Sequence, residues 1–259
     1  MYLIDPLDLA NDEQYLVRKN ITDLSALAEL LAKVTRPKIL DLSFNQITDI
    51  SPLAELGRLQ DLGLSGNQIT DISPLSRLKN LYHLYLDKNQ ITDISPLAEV
   101  SWLFALDVSR NQITDILPLV ELRWLRNLDL GHNQITDISP LAELGELVSL
   151  DLSHNNITDL SPLLGLSRLK KLNLSGNQIT DISPLAELSE LESLELSSNQ
   201  ITDISPLAEL ERFGRLGRLD ISDNPITDRT PLAGLERLVK TQSELRSLEI
   251  ERQRALLGI

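Results

Sequence analysis

Apolar and polar positions follow one another in a fixed order along most of this chain. Over Leu59–Asn80, apolar residues fall at repeat positions 1, 4, 6, 11, 14, 17 and 20: Leu59, Leu62, Leu64, Ile69, Ile72, Leu75 and Leu78. Positions 4 and 6 alternate with polar neighbours, the spacing of a half-buried strand. The later positions are three apart, which fits a tight helical turn too short to stand as an α-helix. The same order returns every 22 residues, marked by Asn45, Asn67, Asn89, Asn111, Asn133, Asn155, Asn177 and Asn199. A period in this range means that each unit buries its apolar face only against its neighbours. The expected unit is a short strand, a turn and a 3₁₀ or extended return, stacked into one elongated body.

The polar constants have structural readings. The asparagine at position 9 lies where the strand turns away, and its amide can serve backbone groups that the bend leaves unpaired. Stacked copies would form a buried ladder. The Ser-Pro pairs (Ser51-Pro52, Ser73-Pro74, Ser95-Pro96) read as an N-cap followed by proline at the first helical position. The aspartates before them, Asp49, Asp71, Asp93, Asp115, Asp137, Asp159, Asp181, Asp203 and Asp228, are read as acceptors for backbone N–H groups at a helix-like N-terminus. A calcium column is the alternative. It is disfavoured because calcium takes six to eight oxygens, and one aspartate per unit supplies too few.

The string Asn-Gln-Ile-Thr-Asp-Ile-Ser-Pro-Leu, as at Asn67–Leu75, resembles the 22-residue leucine-rich repeat. The subclass is that of bacterial internalins and of the regulatory subunit of protein phosphatase 1. The resemblance runs from about Pro37 to Arg237, with a degenerate copy before it. It implies an α/β fold: a right-handed leucine-rich-repeat solenoid with a parallel concave β-sheet, short 3₁₀ or extended convex segments, and capped ends. No functional residue is carried over, because only scaffold positions match.

Departures from the pattern define the ends. Residues 1–36 are expected to form an N-terminal cap, with a short helix through Leu24, Leu27, Leu30 and Leu31. Residues 37–237 hold about nine repeats, and residues 238–259 a C-terminal cap, helical or else a strand through Leu248 and Ile250. Asn199 to Asn224 spans 25 residues, so the eighth unit carries three extra near Glu211–Gly214. Arg229 stands where other units have isoleucine or leucine, which requires that edge to be open or covered by polar groups.

Composition narrows the functional classes. The formal net charge is −14, which argues against nucleic acid and an anionic membrane surface as partners. With no cysteine, disulfides, thiolate metal sites and cysteine nucleophiles are excluded. Neither a secretory signal nor an apolar run of about 20 residues is visible, so the cytoplasm is expected, or secretion or the cell surface if a leader has been removed. No nucleophile elbow or phosphate-binding glycine loop is present, and a flat repeated sheet offers no enclosed site in which to tune a pKa. No catalytic residue, cofactor or metal is therefore assigned. A zinc site at His132 and His154 with Asp129 and Asp151 is set aside, because position 8 varies freely and these histidines read as solvated loop residues.

What remains is a surface. Position 5 reads Asp41, Gly63, Tyr85, Asp107, Asp129, Asp151, Asn173, Glu195 and Asp220, an acidic stripe expected to point outward from the sheet. Five of the nine aromatic residues fall between 82 and 124. Of these, Tyr82, Tyr85 and Phe104 map to strands of adjacent repeats, where aromatics on a polar face suit a binding hot spot. Trp102 and Trp124 are expected to cover the loop edge. The reading is a monomeric, non-catalytic protein-interaction scaffold that binds a basic protein on its concave face. Its predicted contacts are Tyr82, Tyr85, Phe104, Asp107, Asp129, Asp151 and Glu195. Alternatives are a recognition module of a larger signalling or surface protein, and an engineered consensus scaffold without a natural ligand.

Overall fold

The computed structural model describes residues 12–34 and 37–232. Within them lie ten three-residue strands: β1 (Glu13–Tyr15), β2 (Ile39–Asp41), β3 (Asp61–Gly63), β4 (His83–Tyr85), β5 (Ala105–Asp107), β6 (Asn127–Asp129), β7 (Ser149–Asp151), β8 (Lys171–Asn173), β9 (Ser193–Glu195) and β10 (Arg218–Asp220). They pair in parallel in chain order as one sheet. The register repeats the sequence period, with Leu62 opposite Leu84 and Leu84 opposite Leu106. The residues on either side of each strand's last residue, mostly leucines such as Leu62 and Leu64, are buried. They join the return-segment leucines and isoleucines in one continuous core running the length of the stack.

Seven units return through five-residue 3₁₀ turns, from Ser51–Glu55 to Ser183–Glu187. The bonds span three residues, as from Leu75 N–H to Ile72 O (3.0 Å) and from Leu78 N–H to Leu75 O (2.9 Å). The eighth unit, three residues longer, has room for a true helix, α2 (Leu207–Phe213), closed by left-handed Gly214. The contrast shows why the others stay 3₁₀: with 22 residues per coil, the wider helix does not fit. Near the amino end, α1 (Ser25–Val34) sets Leu24, Ala28 and Leu31 into the core. The expected helix is thus present, and β1 ahead of it adds a strand that the repeat pattern did not reveal. Arg229 is exposed. The expected C-terminal cap over 238–259 lies outside the described residues.

The asparagines hold each coil to the one before. Asn133 Nδ2 donates to Val108 O of the preceding unit (3.1 Å) and to Leu130 O of its own (3.0 Å). Its Oδ1 accepts from Ile113 N–H of the preceding unit (3.0 Å). The same three bonds recur at Asn67, Asn89, Asn111, Asn155, Asn177 and Asn199. Each replaces the ladder bonds that end when the strand bends away.

The Ser-Pro reading needs correction. The serines do not cap. The carboxylate two residues earlier does: Asp71 Oδ1 accepts from Ser73 N–H (2.8 Å), while Ser73 Oγ donates back to Asp71 Oδ2 (3.0 Å). An acceptor two residues back closes an Asx turn, so the proline enters an already fixed bend. At exposed Asp137 the Ser139 N–H bond holds the carboxyl below its ordinary range.

Replacing Asn133 with alanine leaves the buried Ile113 N–H without a partner and removes one of the two asparagine bonds that Val108 O and Leu130 O each accept, and it should cost about 1–3 kcal/mol. Replacing exposed Gln134 next to it should change stability by less than about 0.5 kcal/mol. Urea unfolding midpoints of the two variants check this, and similar midpoints would contradict the bonding role.

Candidate protein-binding site

Parallel register places the position-5 residues of successive strands side by side. The column runs Tyr15, Asp41, Gly63, Tyr85, Asp107, Asp129, Asp151, Asn173, Glu195 and Asp220. Tyr15, 60% exposed, is a member that the sequence did not offer, because its strand lies in the segment expected to be only a cap. At Gly63 the column has a notch: an added Cβ would lie 2.6 Å from Asp41 Oδ1.

The acidic residues of the column are less free than expected. Asp107, Asp129 and Asp151 are half-buried, and Asp220 is buried. Each has a local backbone task, since Oδ1 of Asp41, Asp107, Asp129, Asp151 and Asp220 accepts the N–H two residues on at 2.8–3.0 Å. Asn173 does the same for Ser175 at 3.1 Å and donates its Nδ2 to Asp151 Oδ2 (2.9 Å). Glu195 is held by Arg218 (2.9 Å). Asp107 and Asp129 have no cation at ion-pair distance among the described residues. Burial, followed by repulsion from Asp107 and Asp151 and opposed by the Gly131 N–H bond, pushes the Asp129 carboxyl up to about 7. Burial also raises Asp107.

The aromatic residues flank the start of this acid row. Tyr82, Tyr85 and Phe104 are 45, 43 and 37% exposed. Tyr85 is opposite Asp107 in the sheet, and burial, then Asp61 and Asp107, raise its hydroxyl pKa. His83 bonds to Asp61 through Nδ1 and meets the Phe104 ring edge-on at 6.2 Å. Arg126 lies over the Phe104 ring, 5.1 Å from its centroid. Of the predicted contacts, Tyr82, Tyr85, Phe104, Asp107, Asp129 and Asp151 therefore fall together over β4–β7. Glu195 stands apart on β9.

Trp102 and Trp124 are 55 and 56% exposed and stack on each other, 6.1 Å apart and 11° from parallel. One further expectation changes. Position 8 is not an unconstrained loop site. In every unit from Phe44 to Asp223 it has φ between 53° and 70°, the left-handed region that costs non-glycine residues roughly 1–2 kcal/mol. Its side chains interact along the edge. His132 and His154 stack at 4.2 Å, while Phe44 lies between Arg18 (5.2 Å) and Lys88 (5.6 Å). Gly66 leaves room for that ring, since its own Cβ would be 2.6 Å from Phe44 Cδ1. Stacked face to face, the imidazoles do not converge on a common metal, and no group of three or more metal-ligating side chains occurs among the described residues.

Comparisons with known proteins agree with this architecture. The family described as leucine-rich repeats (two copies) matches residues 58–99, 102–143, 146–187 and 167–209, and a single leucine-rich repeat matches 38–50. The chain is 32% identical to a Listeria monocytogenes internalin (inlF), covering 88% of this chain and 86% of that one with a TM-score of 0.56. A second internalin of that organism is 34% identical over 80% of this chain and 84% of that one, with a TM-score of 0.60. A leucine-rich-repeat protein of Leptospira interrogans is 29% identical over 86% of this chain and 58% of that one, with a TM-score of 0.76. A comparison with curated proteins gave no match. The chain belongs to the leucine-rich-repeat family and to its internalin-type, 22-residue subclass. Proteins of this family are commonly protein-binding modules and generally not catalysts. No described helix is long and apolar enough to cross a membrane.

The Asp129 environment has a consequence for pH. Its folded pKa lies above the ordinary 3.8, so the folded state holds the extra proton between about pH 4 and 7. Stability from this group is greatest below about pH 4 and falls as pH rises to about 7. Asp129→Asn keeps an acceptor for Gly131, as Asn173 does for Ser175. It should raise stability at pH 8 by about 1–2 kcal/mol, a figure reduced for solvent screening of a half-buried group, and by much less at pH 4. Urea midpoints at the two pH values test this, and a gain of equal size at both would refute it.

Proposed function

We propose that this protein is a monomeric, non-catalytic interaction scaffold that binds a basic protein partner on the concave sheet. One observation carries the reading. Tyr82, Tyr85 and Phe104 are large, half-exposed rings gathered on two adjacent repeats of an otherwise polar face. Such rings supply much area at low entropic cost, and a few of them usually dominate an interface. Asp107, Asp129 and Asp151 beside them steer a positively charged partner, with Glu195 contributing long-range field from β9. The family relationship supports protein binding in general; the face and the residues are this proposal's own.

The test uses a partner captured from the source cell. Tyr85→Ala and Phe104→Ala should each weaken its binding by about tenfold or more, as interface hot spots do. Exposed Glu187→Gln on the convex turn Ser183–Glu187 should leave calorimetric affinity unchanged. Added salt should slow association more than it speeds dissociation. Unaltered affinity in both aromatic variants would remove the concave site.

A further inference from the structure

The aromatic surface does not stop at the sheet. Trp102 lies two residues before Phe104, and Trp124 two before Arg126. The two indoles stack on each other, and Arg126 returns over Phe104. Tyr82, Tyr85 and Phe104, with Trp102 and Trp124 beside them in sequence, form an exposed aromatic band on two adjacent repeats. An exposed apolar band of this kind marks an interaction surface.

Its surroundings specify the chemistry of an occupant. Where aromatic faces in this chain have a cationic neighbour, the rings are Phe44, held between Arg18 and Lys88, and Phe104 under Arg126. Among the described residues, the rings of Tyr82, Tyr85, Trp102 and Trp124 have no such cation. Next to Tyr85 in the sheet, Asp107 and Asp129 likewise lack an ion-pair partner, whereas Glu192 and Glu195 farther along are paired with Lys170 and Arg218. Open ring faces beside half-buried, mutually repelling carboxylates call for a positive, planar group. A guanidinium meets both demands: it stacks on aromatic faces and forms paired hydrogen bonds to carboxylates, and it sheds water more readily than an ammonium. A second copy of this chain, carrying −14 itself, would be repelled, as would nucleic acid.

We propose that the occupant of this band is an arginine-bearing segment of a protein partner, its guanidinium groups stacked on the Tyr85, Tyr82 and tryptophan rings and paired with Asp107 and Asp129. The proposal rests on the concave-face reading above and names the partner chemistry.

Acetylated, amidated tetra-arginine, tetra-lysine and tetra-citrulline peptides are titrated into the whole chain at constant salt and followed by calorimetry. The arginine peptide should bind at least about fivefold more tightly than the lysine peptide, the difference one stacked guanidinium contributes, and the citrulline peptide should not bind. Asp107→Asn with Asp129→Asn should abolish the preference for arginine, while Glu187→Gln leaves it intact. Equal affinities for arginine and lysine, or a preference that survives the double substitution, overturn the proposal. So does a concentration-dependent dimer in sedimentation that Tyr85→Ala dissolves, because the band would then be covered by a second copy. If arginine preference is absent but the captured partner still loses binding on Tyr85→Ala and Phe104→Ala, the partner chemistry is wrong and the concave site stands. If the arginine preference holds while both alanine variants keep the captured partner, the concave reading fails instead.

Discussion

Beside the backbone pairing of the sheet, one carboxamide in each repeat from Asn67 to Asn199 ties its coil to the previous one. The amide has two donors and an acceptor, and it spends them on two carbonyls and one N–H of two successive units. Those backbone groups lie where the strand leaves the sheet, so the bend can be buried without orphaned polar atoms. The bond pattern tolerates no change of length between strand and asparagine. It does tolerate change in the return. The eighth unit takes three extra residues there as α2, and Asn224 still accepts from Ile201 N–H at 3.0 Å. Length variation is thus confined to the convex side, and the concave strands stay in register through all ten rows.

The parts of the structure that repetition controls were legible in the sequence. Leucine spacing placed the strands and the core, and invariant asparagine placed the bend. What escaped were relations between side chains of different units. Period alone does not distinguish Ser73 from Asp71 as the capping group, because both recur at the same interval; the bond to Ser73 N–H decides for the aspartate. The left-handed backbone at position 8 was masked by residue variety, since Lys88, Arg110, His132 and Ser198 all accept the strain and only Gly66 and Gly176 hint at it. Tyr15 was missed because buried Gln14 stands next to it where the repeat would put leucine. The stacking of Trp102 on Trp124 needed the distance between adjacent coils, which spacing along one chain does not report.

In the proposed site, scaffold and recognition share the same atoms of the acid column. Where position 5 is an aspartate, it closes the turn that leads out of its strand, so it has a structural reason to recur. Parallel register then stacks these carboxylates at the strand spacing of about 4.8 Å, and half-burial weakens the solvent screening between them. The chain relieves part of the strain locally: Asn173 donates to Asp151, and Arg218 neutralises Glu195. Among the described residues no ion pair forms at Asp107 or Asp129, the rows adjoining the aromatic band, and Lys88, which acts on Asp107 from a distance, is itself paired with Asp87. A column built to end strands therefore becomes, over two rows, an electrostatic site whose energy falls when a cation arrives.

Position along such a stack is information that the scaffold itself does not contain. Coils with the same residues present the same surface, and a partner meeting only those could dock in any of several registers. Specific binding requires the symmetry to be broken, and it is broken here where aromatics replace small or polar residues in the third and fourth full repeats. Because the strands that carry Tyr85 and Asp107 are locked by backbone pairing and by the asparagine bonds on either side, these groups need little ordering when a partner binds. Less of the binding free energy is lost to fixing them in place. The same regularity that makes most of the surface anonymous thus makes the irregular rows a rigid and uniquely located surface, as the proposed site requires.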